Sequence, residues 1–457
     1  MKPYPRLVLA GTHSGVGKTT ATLAILAALR ERGHVVQPFK AGPDFIDPSH
    51  HQAATGRSSR NLDGWMLGAD CNRETFVSAA ADADVSVIEG VMGLFDGSSP
   101  VNEIGSTAEL AKQLEAPVIL IVDGSAMARS AAAMVAGYAR FDPALRVAGV
   151  LFNRISSEGH YKLLKTAVEQ ETDVVAVGYL CPDPELTITD RHLGLTMAQE
   201  RRDGELYHRL AQAALNTVDL DRIESLANSC APLPPPSEPV VHRRAKTVRI
   251  GVAQDEAFCF YYADNLELLG AAGGELVVFS PLRDANLPED LGMLYLGGGY
   301  PELHGAALTA NASMRSAIHR FAAEGGTIYA ECGGMMYLTQ GIRDFDGHLH
   351  GMAGVFPAEA TMQRTGMTLG YRLLEVAQSC VIGPAGLTAR GHEFHYSTIT
   401  PKGPLAYACR LVDAEGQARG CDGIVTDNTL GLYTHLHFAS QRRIAEELVD
   451  SARRSQA

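Results

Sequence analysis

The segment that most restricts the fold of this chain lies close to its start. An apolar run, Arg6–Ala10, passes directly into GTHSGVGKTT, Gly11 to Thr20, and then into the helix-forming stretch Lys18–Arg32. Strand, glycine-rich loop and helix in that order make a phosphate cradle. Glycine lets backbone N–H groups converge on phosphate oxygens, and the helix N-terminus adds a favourable dipole. Lys18 is placed to reach terminal phosphates, and the Thr19 hydroxyl to ligate Mg²⁺. The cradle as read comprises Gly11, Thr12, Gly15, Val16, Gly17, Lys18, Thr19 and Thr20. Thr12 stands where the commonest form of the motif has glycine.

The first half continues in the same style. Strands are expected at Val35–Phe39, Val85–Glu89, Val118–Val122, Val147–Phe152 and Val174–Leu180. Helices are expected at Met127–Phe141 and Gly159–Gln170. Continuous β-branched runs separated by helices predict an α/β fold, a doubly wound, mostly parallel sheet covered on both faces. The nonapeptide APLPPPSEP at 231–239 holds five prolines, which makes it stiff and unfit for helix or sheet. It divides the chain into a nucleotide- and substrate-binding domain at 1–230, a linker at 231–246 and a second α/β domain at 247–457. The second domain opens with strands Val248–Ala253, Glu275–Phe279, Met293–Leu296 and Thr327–Ala330, and ends richer in β.

Two further segments suit metal–phosphate chemistry. FKAGPDFIDP after the second strand supplies Lys40, Asp44 and Asp47, and Glu89 closes the run Val85–Glu89 ahead of GVMGLFDG. Ligands of open α/β sheets bind beyond the carboxyl ends of strands. Mg²⁺ takes one or two carboxylates besides phosphate oxygens, so Asp44 and Glu89 are read as its ligands with Thr19, and Lys40 as a cofactor-binding residue. Asn153, at the end of Val147–Phe152, is read as a contact to the nucleotide base.

In the second half, Thr327–Ala330 runs into Glu331-Cys332-Gly333-Gly334 and a helical stretch. A thiol on a sharp strand-to-helix turn is exposed and close to a helix N-terminus, which favours thiolate. Cys332 is thus the expected nucleophile. The N–H of Gly333, with Gly297 or Gly298 of the upstream LGGGYPE, would supply oxyanion donors. GLYTHLHF offers His435 and His437 at i, i+2, so in an extended segment only one can face the thiol. His392 and His395 of GHEFHYS are spaced i, i+3 outside a helical pattern, which speaks for a structural role rather than zinc.

The loop GTHSGVGKTT resembles that of dethiobiotin synthetase and its amidating relatives. The glycine loop, Cys elbow and late His resemble a class I, triad-type glutamine amidotransferase domain. In that family His435 is the catalytic His by its Tyr-x-His register, and a Glu is expected where His437 stands. The whole chain outside the linker is similar to the cobyrinic acid a,c-diamide synthase family, through GTHSGVGKTT, FKAGPDFIDPSHH, EGVMGLFDG, DRHLGL, LGGGYPEL, ECGGMMYL and GLYTHLHF. The resemblance implies ATP- and glutamine-dependent amidation of two acetate carboxylates of a tetrapyrrole-derived polycarboxylate in cobalamin biosynthesis. An acyl phosphate would be the intermediate, with ATP as co-substrate and Mg²⁺ as cofactor. Arg57, Arg60, Arg129, Arg191 and His192 are available for the substrate's carboxylates, and Trp65 is read as core. Hydrogenobyrinic acid or a nickel sirohydrochlorin would suit nearly the same machinery. A non-catalytic nucleotide switch fits less well, because such proteins carry lysine at the place of His13.

Composition closes off other classes. Charged residues make up 20%, apolar residues 46%, and the net charge is −13. These are globular values, and the acidic balance excludes broad contact with nucleic acid or anionic lipid. The longest apolar runs fall short of a membrane span, and Leu7–Ala10 is too short for a signal-peptide core, so a cytoplasmic location is expected. Eight cysteines without a CxxC pair argue against a disulfide framework. The oligomeric state is open, a homodimer included.

Overall fold

The computed structural model describes residues 4–186, 188, 190–191, 194–200, 205–233 and 244–456. The chain divides into two compact units, Met1–Glu238 and Pro239–Ala457. His192 and most of the proline-rich stretch lie outside the described residues, as does the side chain of Arg191.

The first unit holds seven strands: β1 (Arg6–Gly11), β2 (Val36–Ala41), β3 (Arg60–Leu62), β4 (Val85–Gly93), β5 (Val118–Asp123), β6 (Val147–Asn153) and β7 (Val175–Tyr179). They form one parallel sheet in the order β3-β2-β4-β1-β5-β6-β7. The connections are helical: α1 (Lys18–Glu31), α2 (Ile46–Thr55), α3 (Gly68–Ala79), α4 (Thr107–Gln113), α5 (Ser130–Phe141) and α6 (Glu158–Glu171), followed by α7 (Glu205–Thr217) and α8 (Leu220–Asn228). Alternation along β1 shows why the sheet is covered twice. Val8 and Ala10 enter one apolar layer with Leu120 and Val122, while Leu7 and Leu9 enter the opposite layer with Ile121 and the α1 side chains Leu23 and Leu26. Ser106, Ser157 and Asp219 start α4, α6 and α8 by accepting the N–H of Glu109, His160 and Arg222.

Three local expectations differ. The strand read as ending at Glu89 runs on to Gly93, so Glu89 sits inside β4, paired with Leu9 and Lys40. Trp65 is half-buried rather than core. The first residues of the proline-rich stretch pack on the first unit: Leu233 is buried in its core, and Ala231 accepts from the Arg6 guanidinium.

The second unit is built on β8 (Val248–Ala253), β9 (Gly274–Phe279), β10 (Leu291–Leu296), β11 (Thr327–Glu331), β12 (Thr368–Val376), β13 (Thr388–His395), β14 (Ala406–Val412), β15 (Ala418–Thr426), β16 (Thr429–Leu432) and β17 (His435–Leu436). They order as β9-β8-β10-β11-β16-β15-β14-β12-β13-β17. The first five are parallel and the rest antiparallel, so an α/β half grades into a β-rich end. A smaller four-stranded sheet packs beside them. The C-terminal helix Arg443–Gln456 covers one face with Ile444, Ala445, Leu448, Val449 and Ala452, an i, i+4, i+8 stripe. Among the described residues no helix is long and apolar enough to cross a membrane.

Arg6 is fully buried at the start of β1 and donates to the carbonyls of Tyr4, Leu114, Glu115 and Ala231. Arg6→Met would leave these acceptors short of donors. We expect it to lower the stability of the first unit by about 3 kcal/mol in denaturant unfolding, with the fold retained.

Candidate active site

The loop after β1 adopts the shape its glycines permit. Gly15 and Gly17 take positive φ of 83° and 94°, and Gly17 is the N-cap of α1. Tyr138 Oη donates to the Thr12 carbonyl at 2.6 Å, and Arg154 donates to the Gly15 carbonyl at 2.8 Å. Lys18 is mostly buried and folds back over the loop, its Nζ 3.4 Å from the His13 carbonyl. Burial, and then the neighbouring Lys40 ammonium, lower its pKa.

Beneath the loop lies a buried ionic cluster. Thr19 Oγ1 donates to Glu89 Oε1 at 2.8 Å and lies 3.4 Å from Asp47 Oδ1. Lys40 Nζ contacts Asp47 Oδ2 at 2.5 Å, Glu89 Oε1 at 3.1 Å and the Gly90 carbonyl at 3.2 Å. His51 Nε2 meets Glu89 Oε2 at 2.6 Å, and its Nδ1 meets Ser59 Oγ at 3.0 Å. Burial works against charge on Lys40, but the surrounding carboxylates overcome it and raise its pKa. Burial likewise opposes charge on Glu89, yet Lys40, His51 and Thr19 hold it well below the usual carboxylate range. Asp47 is pushed up by burial and by the charges of Asp44 and Glu89.

Three residues read from the sequence have local partners here. Asp44 Oδ1 accepts the N–H groups of Ile46 and Asp47 and so starts α2, while Asp47 is the carboxylate that reaches Thr19. Lys40 has its three ammonium protons taken up by Asp47, Glu89 and the Gly90 carbonyl. Asn153 turns its Nδ2 onto the Val16 carbonyl at 2.9 Å and so braces the loop. Of the arginines, Arg57 forms a bidentate pair with Asp82, and Arg129 pairs with Glu171. Arg60 opens β3.

The second constellation sits at the end of β11. Cys332 has φ 46° and ψ −105°, a strained elbow between β11 and the short helix Gly333–Leu338. Its N–H donates to the Leu432 carbonyl at 2.6 Å, which ties the elbow to the strand leading into His435. Gly334 must be glycine, because a Cβ there would lie 2.1 Å from the Leu296 carbonyl oxygen. The glycine loop after β10 lies against the imidazole: a Cβ on Gly298 would lie 2.4 Å from His435 Cε1. The Gly333 N–H is directed at the Cys332 sulfur. Gly297 is a correction, since its N–H donates to Tyr261 Oη at 2.8 Å and is not available as an oxyanion donor.

His435 is 2% exposed, and burial, then its neighbours His392 and His395, hold its pKa down to about 3. Burial thus favours the uncharged imidazole. His437 faces the other way, against the Tyr262 ring at 4.6 Å. Burial pushes the Cys332 thiol up, Glu302 adds to this, and the Gly333 N–H only partly opposes it. Burial thus works against the thiolate that the elbow and the helix N-terminus favour. His392 pairs with His435 across β13 and β17, while His395 stacks on Tyr433 at 3.8 Å and meets the Ser397 carbonyl at 2.9 Å.

Residues 7–194 match the family described as the CobQ/CobB/MinD/ParA nucleotide binding domain, and residues 249–443 the CobB/CobQ-like glutamine amidotransferase domain. Cobyrinate a,c-diamide synthase of Priestia megaterium is 43% identical over 452 residues, covering 98% of this chain and 97% of its own length. The enzymes of that name from Syntrophotalea carbinolica and Salmonella typhimurium are 45% and 42% identical, each again covering 98% of this chain, and 99% and 98% of their own lengths. The chain belongs to the cobyrinate a,c-diamide synthase family. As a member of the cobyrinate a,c-diamide synthase family it is a glutamine-dependent ligase that uses ATP.

Sequence reasoning passed over Asp47, His51 and Glu331 in this cobyrinate a,c-diamide synthase family member, although all three stand in the motifs it singled out. Glu331 is fully buried beside Cys332, and burial raises its pKa to about 7 against the hydrogen bonds it accepts. Its partners Tyr295 and Leu436 are far away in the chain, so no local pattern marks it.

Two outcomes are expected. Gly298→Ala displaces the His435 ring and should lower glutamine hydrolysis about 100-fold, measured as ammonia release. His435 resists protonation when folded but takes up a proton near 6.5 when unfolded, so stability is lost as pH falls from about 6.5 toward 3. His435→Gln should flatten that loss in melting curves between pH 7 and 4.

Proposed function

We propose that this chain amidates the a and c acetate carboxylates of cobyrinic acid, using ATP and L-glutamine, in cobalamin biosynthesis. Full-length similarity to enzymes of that name supports the substrate. The observation that carries the reaction is the presence, in one chain, of a phosphate loop and a strained Cys332 elbow tied to the strand that leads into His435, whose ring lies against Gly298 of the glycine loop.

In the first half-reaction a substrate carboxylate oxygen attacks the γ-phosphorus of ATP, giving an acyl phosphate and ADP. The backbone N–H groups of Gly15–Thr20 and the Lys18 ammonium hold the phosphates and offset the charge that spreads over the transferring group. Thr19 Oγ1, Glu89 and Asp47 present hard oxygen donors, a set that fits Mg²⁺. When bound there, the ion would supply charge neutralisation at the β- and γ-phosphates. Lys40 and His51 hold the two carboxylates in place.

In the second, His435 takes the Cys332 proton as the sulfur attacks the amide carbon of glutamine. The oxyanion is met by the N–H of Gly333 and of Gly298. The proton returns to the leaving nitrogen, ammonia departs, and water releases glutamate from the thioester. Ammonia then attacks the acyl phosphate carbon, a carbon–nitrogen bond forms and phosphate leaves.

The test is a mass shift on a panel of purified macrocycles: cobyrinic acid, hydrogenobyrinic acid and a nickel sirohydrochlorin. Each amidation lowers substrate mass by about one dalton, and one ATP is consumed per amide. Cys332→Ser should abolish the glutamine-dependent shift and retain the ammonia-dependent one, while Lys18→Ala should remove both. Absence of any shift on cobyrinic acid in the wild type would reject the substrate, and glutamine use by Cys332→Ser would reject the nucleophile.

A further inference from the structure

A triad-type glutaminase uses a carboxylate to orient its imidazole, and here the position two residues past His435 is His437, which packs on Tyr262. Another carboxylate lies behind the ring. Glu331 Oε2 is 3.9 Å from His435 Nδ1, and both side chains are 2% exposed. Glu331 is held from three sides. Its Oε1 accepts from Tyr329 Oη at 2.7 Å and from the Leu436 N–H at 3.0 Å, and its Oε2 accepts from Tyr295 Oη at 2.9 Å. The Leu436 contact matters most, because it registers the carboxylate against the residue next to His435. Strand alternation places Glu331 on the sheet face of Tyr295 and Tyr329, with Ala330 on the other.

We infer that Glu331 is the positioning carboxylate of the glutaminase, accepting a hydrogen bond from His435 Nδ1–H so that Nε2 is left to take the proton from Cys332. The inference rests on the assignment of Cys332 and His435 above. In the resting state the contact is longer than a hydrogen bond. An approach of about 1 Å closes it, and catalytic contacts commonly tighten only once substrate is bound. No atom is lost in this step: the Nδ1–H bond is kept, and Glu331 carries the charge that balances the imidazolium. A carboxylate kept only to bridge two tyrosines would also be buried and bonded, so the test must separate the two roles.

Glu331→Gln keeps the size of the side chain and removes its charge. We expect kcat/KM for glutamine to fall about 100-fold, mostly in kcat, while ammonia-dependent synthesis, which bypasses the thiol, is kept. Glu331→Asp should recover part of the loss. The acid limb of the glutamine profile should move to lower pH in Glu331→Gln, because the imidazolium loses its partner. The other titratable groups facing this pair are Tyr295 and Tyr329 on Glu331, His392 and His395 on His435, and Glu302 and Glu393 toward Cys332. A Glu331→Gln enzyme with wild-type kcat/KM for glutamine overturns the inference. So does one whose acid limb is unmoved, or whose ammonia reaction falls in parallel. Cys332→Ser is run beside it. If that variant still uses glutamine, the underlying site assignment fails. If it is inactive with glutamine while Glu331→Gln is normal, only the role of Glu331 is lost.

Discussion

Both candidate sites depend on one constraint of backbone geometry. At the carboxyl end of a parallel strand the chain leaves the sheet and must turn into a helix, and for a few residues its N–H groups have no ladder partner. In the first unit that gap follows β1, and glycines at positive φ turn the loose N–H groups toward one point. In the second it follows β11, and the turn is so sharp that Cys332 itself takes positive φ. The same opening serves a phosphate in one case and a tetrahedral oxyanion in the other. The flanking strands, β4 beside β1 and β16 beside β11, deliver the remaining groups from the same end of each sheet.

The strand–loop–helix and the cysteine elbow were legible because they are local. Their glycines stand within a few residues of the chemistry, and the period of the apolar runs already implies a sheet covered on both faces. What was not legible depends on partners far away in the chain. Gly297 looks like an oxyanion donor until Tyr261, 36 residues earlier, is seen to accept its N–H. Asn153 looks like a base contact until its amide is found 137 residues away on the Val16 carbonyl. Asp44 and Asp47 differ by three positions in the sequence, and only the start of α2 decides which is used up by backbone N–H groups. Glu331 was in plain view, but its face of the strand and its tyrosine partners were not.

The cluster under the phosphate loop is electrically uneven. Two buried carboxylates, Asp47 and Glu89, share the Lys40 ammonium, and the His51 ring meets Glu89 from another side. Burial magnifies the imbalance, and it is expressed in Asp47, whose proton is held more tightly than usual. Replacing Lys40 by an apolar residue would leave both acids in the interior without their counter-ion, a far larger disturbance than the loss of a surface pair.

The burial of Cys332 has a consequence for chemical durability. Oxidants and alkylating electrophiles react with the anionic form of sulfur, and a buried neutral SH group offers them little. Its reactivity is switched on only when a bound amide and the adjacent imidazole draw the proton away together, so the same burial that slows the sulfur at rest also shields it from damage.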